Sequence, residues 1–372
     1  MNDVLTLQLP PPPSQRRGYA VRVGAAVAAG VGASVREAAP RARAVGVVSD
    51  DNVWALHGQR VRAALEHAGL QVLPQVVTPG EASKSIEVVL GCVDGWATAG
   101  LGRHDAVVAF GGGVVGDLAG LAAHLYMRGV PWVGVPTSLL AQVDASVGGK
   151  VAIDRPAAKN LLGAFHFPHA VLVDPRWLAT LPARELACGA AEMIKHALLF
   201  SRPQLDAIAA AATRGAEAAA LAPLVGASIA LKAACVAADP FETEPAGRVL
   251  LNLGHTVGHA IEQVSGFAVA HGEAVALGLV AAARVSRAQG LADAALERTV
   301  VDVLQRVGLP TAPDAWLQGE HADALAAAIA HDKKRGDGGT ITYIALADVG
   351  EPRVCALTID AIVAGAAATG RP

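Results

Sequence analysis

The stretch DAVVAFGGGVVGDLAG, residues 105–120, joins an apolar, partly β-branched run to a cluster of glycines. The run predicts a buried strand, and Gly111, Gly113 and Gly116 match the GxGxxG pattern at the start of a following helix. Glycines at such a turn let backbone N–H groups approach a pyrophosphate, where the helix dipole favours anions. A tight structural turn would give the same pattern, so the stretch predicts a strand–turn–helix unit and leaves nucleotide binding as one of two interpretations.

The usual acidic companion of this pattern is missing from the sequence. In dinucleotide-binding folds an Asp or Glu follows by about 20 residues, but here that region contains Tyr126, Arg128 and Gly129. Asp50, at the end of the apolar run 44–49, is an alternative partner for ribose hydroxyls. A nucleotide would then lie across the strands in a different order from the simple fingerprint.

Further β-branched runs alternate with Ala-rich helical stretches in the first half of the chain. They lie at 44–53, 70–77, 130–138 and 170–175, and this alternation is typical of a mainly parallel sheet. After about residue 181 helical spacing takes over as far as roughly residue 330, with a strand or hairpin at 340–350. We therefore predict an α/β nucleotide-binding domain over residues 1–182 and a helical domain over residues 183–372.

Composition excludes several classes of protein. Hydrophobic residues make up 53% of the chain and charged residues 17%, which indicates a folded globular protein. The net charge of -3 gives no electrostatic footprint for nucleic acid or an anionic membrane, so we expect neither as a partner. Cys92, Cys188, Cys235 and Cys355 form no CxxC pair, which argues against a thiolate zinc site and favours a reducing compartment. With no signal-peptide pattern at the amino terminus, we expect a cytoplasmic location.

Three histidines crowd the segments NLGHTVGHAIE (252–262) and HGE (271–273). His255 and His259 are four residues apart, so they share one face of a helix, and His271 could return from the next element. Two of the three, together with Glu192, would complete an open catalytic metal site. The alternatives are a polar pair on a helix surface and, for Glu192, an ion pair with Lys195 three residues later. Spacing leaves these alternatives open.

Six cationic residues stand in apolar or Gly-rich surroundings, where an ammonium or guanidinium group needs an anion. Each one by itself could extend to solvent from a helix face. Six of them near a glycine turn and a histidine cluster favour a small substrate that carries phosphate and carboxylate groups. They are Arg128, Lys150, Lys159, Lys195, Lys232 and Arg248.

Eight segments in combination resemble the 3-dehydroquinate synthases, over about residues 50–334. They are GGGVVGDLAG (111–120), YMRG (126–129), PTSLLAQVDASVGGK (136–150), KNLLGAF (159–165), GAAEMIKH (189–196), NLGHTVGHAIE (252–262), HGE (271–273) and DKK (332–334). The resemblance implies an NAD-binding α/β domain followed by an all-α metal-binding domain, with zinc or cobalt as the metal. It also implies a homodimer.

The implied activity is a phosphate-eliminating lyase reaction of the shikimate pathway of aromatic amino acid biosynthesis. Such an enzyme converts 3-deoxy-D-arabino-heptulosonate 7-phosphate to 3-dehydroquinate and phosphate. The steps are transient oxidation by NAD, phosphate elimination, re-reduction and aldol cyclisation. NAD therefore ends the cycle as it began.

The same resemblance implies roles for individual residues. Glu192, His255 and His271 would hold the metal, and His259 would transfer protons beside it. The residues implied as catalytic are His259, Glu242, Lys150, Asn160 and Lys195. Those implied to bind substrate are Arg128 from the neighbouring subunit, Asp144, Lys150, Lys159, Asn160, Lys195, Lys232, Arg248, Asn252, and Lys333 or Lys334. Those implied to bind NAD are Asp50, Asn52, Glu81, Lys84, Gly112, Gly113, Val114, Asp117, Thr137, Ser138 and Thr180.

The sequence departs from the family pattern in a few places. The segment DPFETEPAGR (239–248) holds about two more residues than usual, so Glu244 competes with Glu242 for one role, and the family-like DPFE favours Glu242. Ser138, Val151 and Cys188 replace the usual residues at the edges of the cofactor and substrate sites.

Three other functions remain as alternatives. The first is another sugar-phosphate cyclase, either an aminodehydroquinate synthase or a 2-deoxy-scyllo-inosose synthase. Arg248 and Asn252 weigh against the inosose synthase, because its substrate has no carboxylate to bind. The second is an NAD- and metal-dependent polyol dehydrogenase, against which the lysine-rich set argues. The third is a non-catalytic nucleotide-binding module, which would be expected to have lost metal or proton-transfer residues.

Overall fold

The computed structural model describes residues 18–155, 158–213, 221–332 and 339–368. Within these ranges an α/β layer structure is followed by a mainly helical part. No helix in these ranges is both long enough and apolar enough to cross a membrane. Lys333 and Lys334 lie outside the described residues, so their contact with a substrate stays a prediction.

Six strands of the first half form one parallel sheet. The first-half strands are β1 (Ala20–Val23), β2 (Ala44–Asp50), β3 (Gln71–Val77), β4 (Ala106–Gly111), β5 (Trp132–Pro136), β6 (Lys150–Arg155), β7 (Ala158–Phe165) and β8 (Ala170–Val173). The order across the sheet is β1-β8-β5-β4-β2-β3, and all neighbours are parallel. The predicted parallel sheet is confirmed. The sequence patterns missed the short β1 and the separate antiparallel hairpin of β6 and β7.

Helices cover both faces of this sheet, which explains why its central strands β2, β4 and β5 are buried and rich in apolar residues. One layer contains α1 (Val31–Ala38) and α2 (Asp51–His67), and the other contains α3 (Ile86–Thr98) and α4 (Gly113–Leu125). Val108 and Phe110 of β4 pack with the first layer, whereas Val107 and Ala109 pack with the second. Successive residues of a strand point to opposite faces, so a strand covered on both sides must be apolar at every position.

The second half is mainly helical, as predicted. Its elements are α5 (Ala183–Phe200), α6 (Arg202–Thr213), α7 (Ala222–Ala238), α8 (His255–Val264), α9 (His271–Ala288), α10 (Ala294–Arg306), α11 (Gly319–Asp332), β9 (Thr340–Asp348), β10 (Glu351–Thr358) and α12 (Ile359–Ala367). The strand predicted at 340–350 is β9, which forms an antiparallel hairpin with β10. Helix α9 is central and packs against α5, α8, α10 and α12. The exact boundary between two domains at residues 182 and 183 stays a prediction.

Small residues let α5, α8 and α9 approach closely. A Cβ atom on Gly258 of α8 would lie 3.0 Å from the main-chain oxygen of Ala274 in α9. A Cβ atom on Gly272 of α9 would collide with the main chain of Cys188 in α5. Backbones this close can bring side chains of all three helices to one point, and larger residues at these positions would push the helices apart.

Candidate active site

The strand order of the sheet reverses at β2, and we call the edge formed by the carboxyl ends of β2, β4 and β5 the crevice. From β2 the chain moves outward to β3 and then returns to β4 on the other side of β2. In open α/β sheets, ligands bind at such a reversal, beyond the carboxyl ends of the strands. Asp50 ends β2, Gly111 ends β4, and Thr137 follows β5. The glycine turn and Asp50 therefore lie at the mouth of one crevice.

The glycine turn forms the start of α4. Gly112 is the N-cap of the helix, and Gly113 and Val114 begin its first turn, where backbone N–H groups lack partners within the helix. A cavity along this turn extends to Asp117 one turn later. A Cβ atom on Gly112 would lie 3.6 Å from Ser138 Oγ, so a larger side chain there would fill the space between two strand ends.

The opposite side of the crevice is formed at β2 and α2. The carboxylate of Asp50 caps α2 by accepting a hydrogen bond from the Val53 N–H at 3.0 Å, which fixes its position. Asn52 is exposed in the first turn of the same helix. Thr180 is also exposed, and its Oγ1 lies 2.8 Å from Nε2 of the buried His57. These predicted cofactor residues therefore lie at the end of β2 or beside α2.

Lys84 connects the predicted cofactor residues to the predicted substrate residues. Its side chain is buried, and its ammonium lies 2.8 Å from Asp117 and 3.6 Å from Glu81. It also donates a hydrogen bond to the side-chain oxygen of Asn160, which has a left-handed backbone with φ of 52°. Burial opposes the charge on Lys84, but Asp117 and Glu81 outweigh it and raise its pKa. The lysine is therefore held as a cation between the two groups of residues.

Three helices of the second half bring a carboxylate and two imidazoles together. Glu192 of α5, His255 of α8 and His271 of α9 place one potential ligand atom each within 4.8 Å of the others. The Nε2 atoms of the two histidines lie 3.5 and 3.3 Å from Glu192 Oε1. Glu192 is fully buried, and neither of its oxygens accepts a hydrogen bond of normal geometry, although the Lys195 ammonium forms an ion pair with Oε2. A buried carboxylate needs cationic partners, and Oε1 faces the two imidazoles without a hydrogen bond of normal geometry.

The Nδ1 atoms of both histidines are already engaged, which points both Nε2 atoms at Glu192. His255 donates its Nδ1–H to the main-chain oxygen of Leu253 at 3.1 Å, and His271 donates its Nδ1–H to Glu262 Oε2 at 3.2 Å. Oxygen acceptors at the second nitrogen are characteristic of histidine ligands. Burial, together with the Lys195 charge, holds the pKa of His255 well below its ordinary value. Burial also opposes a charge on His271, but the adjacent carboxylates of Glu192 and Glu262 outweigh it and raise its pKa to about 10.

Two overlapping sets of side chains compete with this trio as a metal site. His259, Glu262 and His271 form one set, and His259 stacks edge-on to His255 with ring centroids 5.1 Å apart. The charge of Glu262 is already matched by Lys159, whose ammonium is 3.1 Å away. Glu192 Oε1 faces the Nε2 atoms of both histidines, whereas Glu262 Oε2 accepts the Nδ1–H of His271, so Glu192 is the better placed anionic ligand.

The remaining set is Asp144, Glu192 and His196, and it is crowded by cations. Lys232 and Lys195 lie 2.9 and 3.7 Å from Asp144 Oδ1, and His196 Nε2 lies 3.2 Å from the same atom. Burial raises the pKa of Asp144, but the two ammonium groups and His196 together lower it well below its ordinary value. Asp144 therefore remains an anion that gathers two lysines, and the ammonium groups would repel a metal ion.

A loop between α7 and α8 presents Arg248 and Glu242. Asp239 organises this loop, because its carboxylate accepts hydrogen bonds from the backbone N–H groups of Thr243, Glu244 and Arg248 at 2.8, 3.3 and 3.0 Å. The Arg248 side chain is buried and donates to the main-chain oxygens of two neighbouring segments.

The same loop separates the two competing glutamates. The Glu242 carboxylate forms an ion pair with Lys150 and lies 3.5 Å from the amide nitrogen of Asn252. Glu242 has a left-handed backbone with φ of 58°, which is uncommon outside glycine and is often found at functional sites. Glu244 is exposed, and its backbone N–H donates a hydrogen bond to Asp239. The geometry favours Glu242 for the predicted role.

Lysine use in this chain is concentrated at these clusters. The sequence contains seven lysines, and five of them lie within the described ranges. All five are paired with the acidic side chains just described, and they are Lys84, Lys150, Lys159, Lys195 and Lys232. The other Lys or Arg positions within the described ranges are arginines, so the five described lysines mark these clusters.

Comparison with known proteins agrees with this arrangement. The family model described as 3-dehydroquinate synthase N-terminal matches residues 74–188, and the one described as 3-dehydroquinate synthase C-terminal matches residues 189–335. The chain belongs to the 3-dehydroquinate synthase family. It is 46% identical to the 3-dehydroquinate synthase of Caulobacter vibrioides over 342 residues, which cover 90% of this chain and 91% of that protein. It is also 46% identical to the enzyme of Symbiobacterium thermophilum over 296 residues, 79% of this chain and 82% of that one.

Solved structures of related cyclases share the fold of this family member. The 2-epi-5-epi-valiolone synthase ValA from Streptomyces hygroscopicus, solved with NAD+ and Zn2+ bound, superposes with a TM-score of 0.82 at 27% identity, covering 98% of each chain. A 2-deoxy-scyllo-inosose synthase superposes with a TM-score of 0.81 at 24% identity, covering 94% of this chain and 96% of that chain. The predicted dehydroquinate synthase-like fold is confirmed.

One predicted residue of this dehydroquinate synthase family member lies apart from the clusters. Arg128 is exposed after α4, with φ of 68°, and no hydrogen bond or ion pair joins it to the described site residues. Two residues that the sequence predictions omitted do lie in the clusters, namely His196 beside Asp144 and Glu262 behind His271. Glu262 is three residues after His259 on the same helix, and that spacing was the available signal.

Proposed function

We propose that this family member is a 3-dehydroquinate synthase that uses NAD and a divalent metal, zinc or cobalt. It converts 3-deoxy-D-arabino-heptulosonate 7-phosphate to 3-dehydroquinate and phosphate, as a phosphate-eliminating lyase of the shikimate pathway in the cytoplasm. The observation that carries the proposal is the meeting of Glu192, His255 and His271 beside a lysine cluster. The boundary between its two domains would lie at residues 182 and 183.

The buried trio fits a catalytic metal. Glu192 supplies a carboxylate oxygen with no hydrogen-bond partner of normal geometry, and His255 and His271 supply Nε2 atoms whose rings are fixed from behind. Three such protein ligands leave a position for a substrate oxygen. When bound, the metal would polarise that oxygen and lower the pKa of a substrate hydroxyl. His259, next to both imidazoles, would receive or return protons there.

The crevice at the sheet edge fits NAD. Gly112 and Gly113 would let the pyrophosphate approach the first turn of α4, and Asp50 would accept hydrogen bonds from ribose hydroxyls across the crevice. The cofactor would accept a hydride and later return it, so no net NADH would form. Lys84 would orient the nicotinamide end through its contacts to Asp117 and Asn160.

The lysine cluster fits a substrate with two kinds of anion. Lys195 and Lys232 stand as point charges around Asp144, and Arg248 offers a planar fork for a carboxylate or phosphate. Buried cations of this kind bind a leaving phosphate in a site of low dielectric, where each contact is strong. Glu242, held by Lys150 near Asn252, would hold or release a proton next to the bound substrate.

We also propose that the enzyme is a homodimer in which Arg128 reaches the partner's substrate site. Exposed apolar side chains next to it, Leu125 and Met127, support a contact surface there. Light scattering should give twice the mass of one chain. Co-expression of the Arg128→Ala and His271→Ala chains should give mixed dimers with activity that neither variant has alone. A monomer, or no such complementation, would contradict this part.

The reaction assay tests the proposed function. Purified protein with catalytic NAD and zinc or cobalt would be given 3-deoxy-D-arabino-heptulosonate 7-phosphate, with phosphate release followed and the product identified by mass spectrometry. The proposal predicts one phosphate and one dehydroquinate per substrate, without net NADH. Turnover of glucose 6-phosphate or of the amino analogue instead would identify another cyclase. Net NADH from simple polyols would identify a dehydrogenase and overturn the proposal.

A further inference from the structure

Glu262 contacts one predicted metal ligand and one predicted substrate residue at the same time. Its Oε2 accepts a hydrogen bond from His271 Nδ1 at 3.2 Å, and its Oε1 accepts one from the Lys159 ammonium at 3.1 Å. The carboxylate is buried, with 3% of its surface exposed, whereas 29% of the Lys159 side chain remains exposed. Lys159 therefore has one side fixed by Glu262 and another open to an incoming anion.

These contacts cross between the two halves of the chain. Lys159 belongs to β7 of the hairpin in the first half, while Glu262 and His271 belong to α8 and α9. The Lys159 ammonium also lies 4.5 Å from the centre of the Phe267 ring and 3.9 Å from Glu81, which pairs with Lys84. A continuous series of charged contacts thus runs from His271 to the crevice at the sheet edge.

The other predicted histidine ligand has no carboxylate at its Nδ1. His255 donates its Nδ1–H to the main-chain oxygen of Leu253, two residues earlier in its own segment. That acceptor is part of the backbone and cannot change its charge or its partner when a substrate binds. Within the described ranges, a carboxylate outside the predicted ligand set joins His271 to a substrate cation, whereas His255 has only a main-chain acceptor at its Nδ1.

We propose that Glu262 is a positioning residue that couples metal affinity to the state of Lys159. The inference rests on the proposed metal site. While Lys159 neutralises Glu262, the carboxylate is a weaker acceptor for His271 Nδ1–H, and His271 is a poorer ligand. When a substrate anion draws Lys159 away, the full charge of Glu262 acts on His271 and the metal binds more tightly. Coupling of this kind is reciprocal, so a bound metal also releases Lys159 for the substrate.

Zinc affinity of the full-length protein, without substrate, tests this coupling by competition with a chromophoric chelator. Lys159→Gln imitates the withdrawal of the ammonium, so it should tighten zinc binding about fivefold, the lower end of typical coupling. Glu262→Gln should weaken zinc binding by about 10- to 100-fold, and adding Lys159→Gln to it should change nothing more. Lys159→Arg keeps the charge and should bind zinc like the unaltered chain.

A matched control is Lys150→Gln, which removes another predicted substrate lysine that pairs with Glu242 and not with Glu262. It should leave zinc affinity unchanged. Equal zinc affinity of the unaltered chain and a folded Lys159→Gln variant would overturn the coupling, and so would a further effect of Lys159→Gln in the Glu262→Gln background. The His255→Ala variant distinguishes failure of the proposed metal site from failure of the coupling. If His255→Ala still binds zinc, both the proposed metal site and the coupling are wrong. If His255→Ala loses zinc but Lys159→Gln has no effect on zinc affinity, only the coupling is wrong.

Discussion

The crevice at the sheet edge and the histidine cluster in the helical half position their functional groups in different ways. At the crevice the backbone does most of the positioning: a glycine turn, a helix N-terminus and the ends of adjacent strands define where a ligand can lie. In the helical half, side chains from α5, α8 and α9 meet, and each histidine is oriented by an acceptor outside the predicted ligand set. A site formed by backbone groups depends on the local sequence. A site formed by side chains of several helices depends on packing between distant segments.

This difference predicts which substitutions are most damaging. Removing a ligand from the helical cluster should abolish both metal binding and catalysis, since the remaining groups cannot move to replace it in a packed core. Substitutions in the crevice should weaken cofactor binding and leave metal binding unchanged. The following experiments test that contrast.

The largest effect is expected for His271→Ala. The variant should lose its metal, and activity should fall by roughly 10³-fold or more, because several kcal/mol of charge stabilisation disappear. Metal content by elemental analysis and phosphate release are the two measurements. Arg248→Ala is the matched control, since it should weaken substrate binding with the metal retained. Full activity in the first variant, or metal loss in the second, would contradict the assignment.

A smaller loss is expected for Glu242→Gln. Glu242 lies beside Lys150 and Asn252, and loss of proton transfer should lower kcat by on the order of 10²-fold. The kcat of Glu244→Gln should stay within about threefold of that of the unaltered enzyme, because the Glu244 side chain is exposed to solvent. Steady-state kinetics of both variants decide between the two glutamates. A larger loss from Glu244→Gln would reverse the choice.

In the crevice, Gly113→Val should weaken NAD binding about tenfold, equivalent to about 1.4 kcal/mol. A Cβ atom there would already lie 3.4 Å from Ala145 Cβ, so two further methyl groups would occupy the space for the pyrophosphate. Gly91→Ala in α3 is the control, because a Cβ atom at that position meets nothing within 4 Å. Titration calorimetry should show weaker NAD binding and unchanged zinc binding in the first variant. Loss of zinc there would show that the two sites are not separable in this way.

The two histidines should also differ in proton release. Without metal, His271 has a pKa of about 10 and is protonated at pH 7, whereas His255 has a lowered pKa and is neutral. A ligand must lose its proton, so zinc affinity should rise with pH below about 10, by up to tenfold per pH unit, with one proton released per zinc. Calorimetry in buffers of different ionisation enthalpy counts the protons. Release of two protons, or of none, would contradict this difference.

The same contrast explains what the sequence could predict. The strands and the glycine turn followed from local patterns, because β-branched runs and glycines act within a few residues. The short β1 was missed because its four residues give too little periodicity. The choice among three histidines could not be made from spacing, since it depends on acceptors such as Glu262 that packing places behind the rings. Likewise, Glu242 and Glu244 are distinguished by the way Asp239 folds the loop around them.

Crystals of the enzyme grown with zinc and NAD, with diffraction recorded on both sides of the zinc absorption edge, would locate the metal among the candidate ligands. We expect one anomalous peak about 2.0–2.2 Å from a Glu192 oxygen and from the Nε2 atoms of His255 and His271, with NAD density at the start of α4. A peak between His259 and Glu262, or zinc without contact to Glu192, would contradict this expectation.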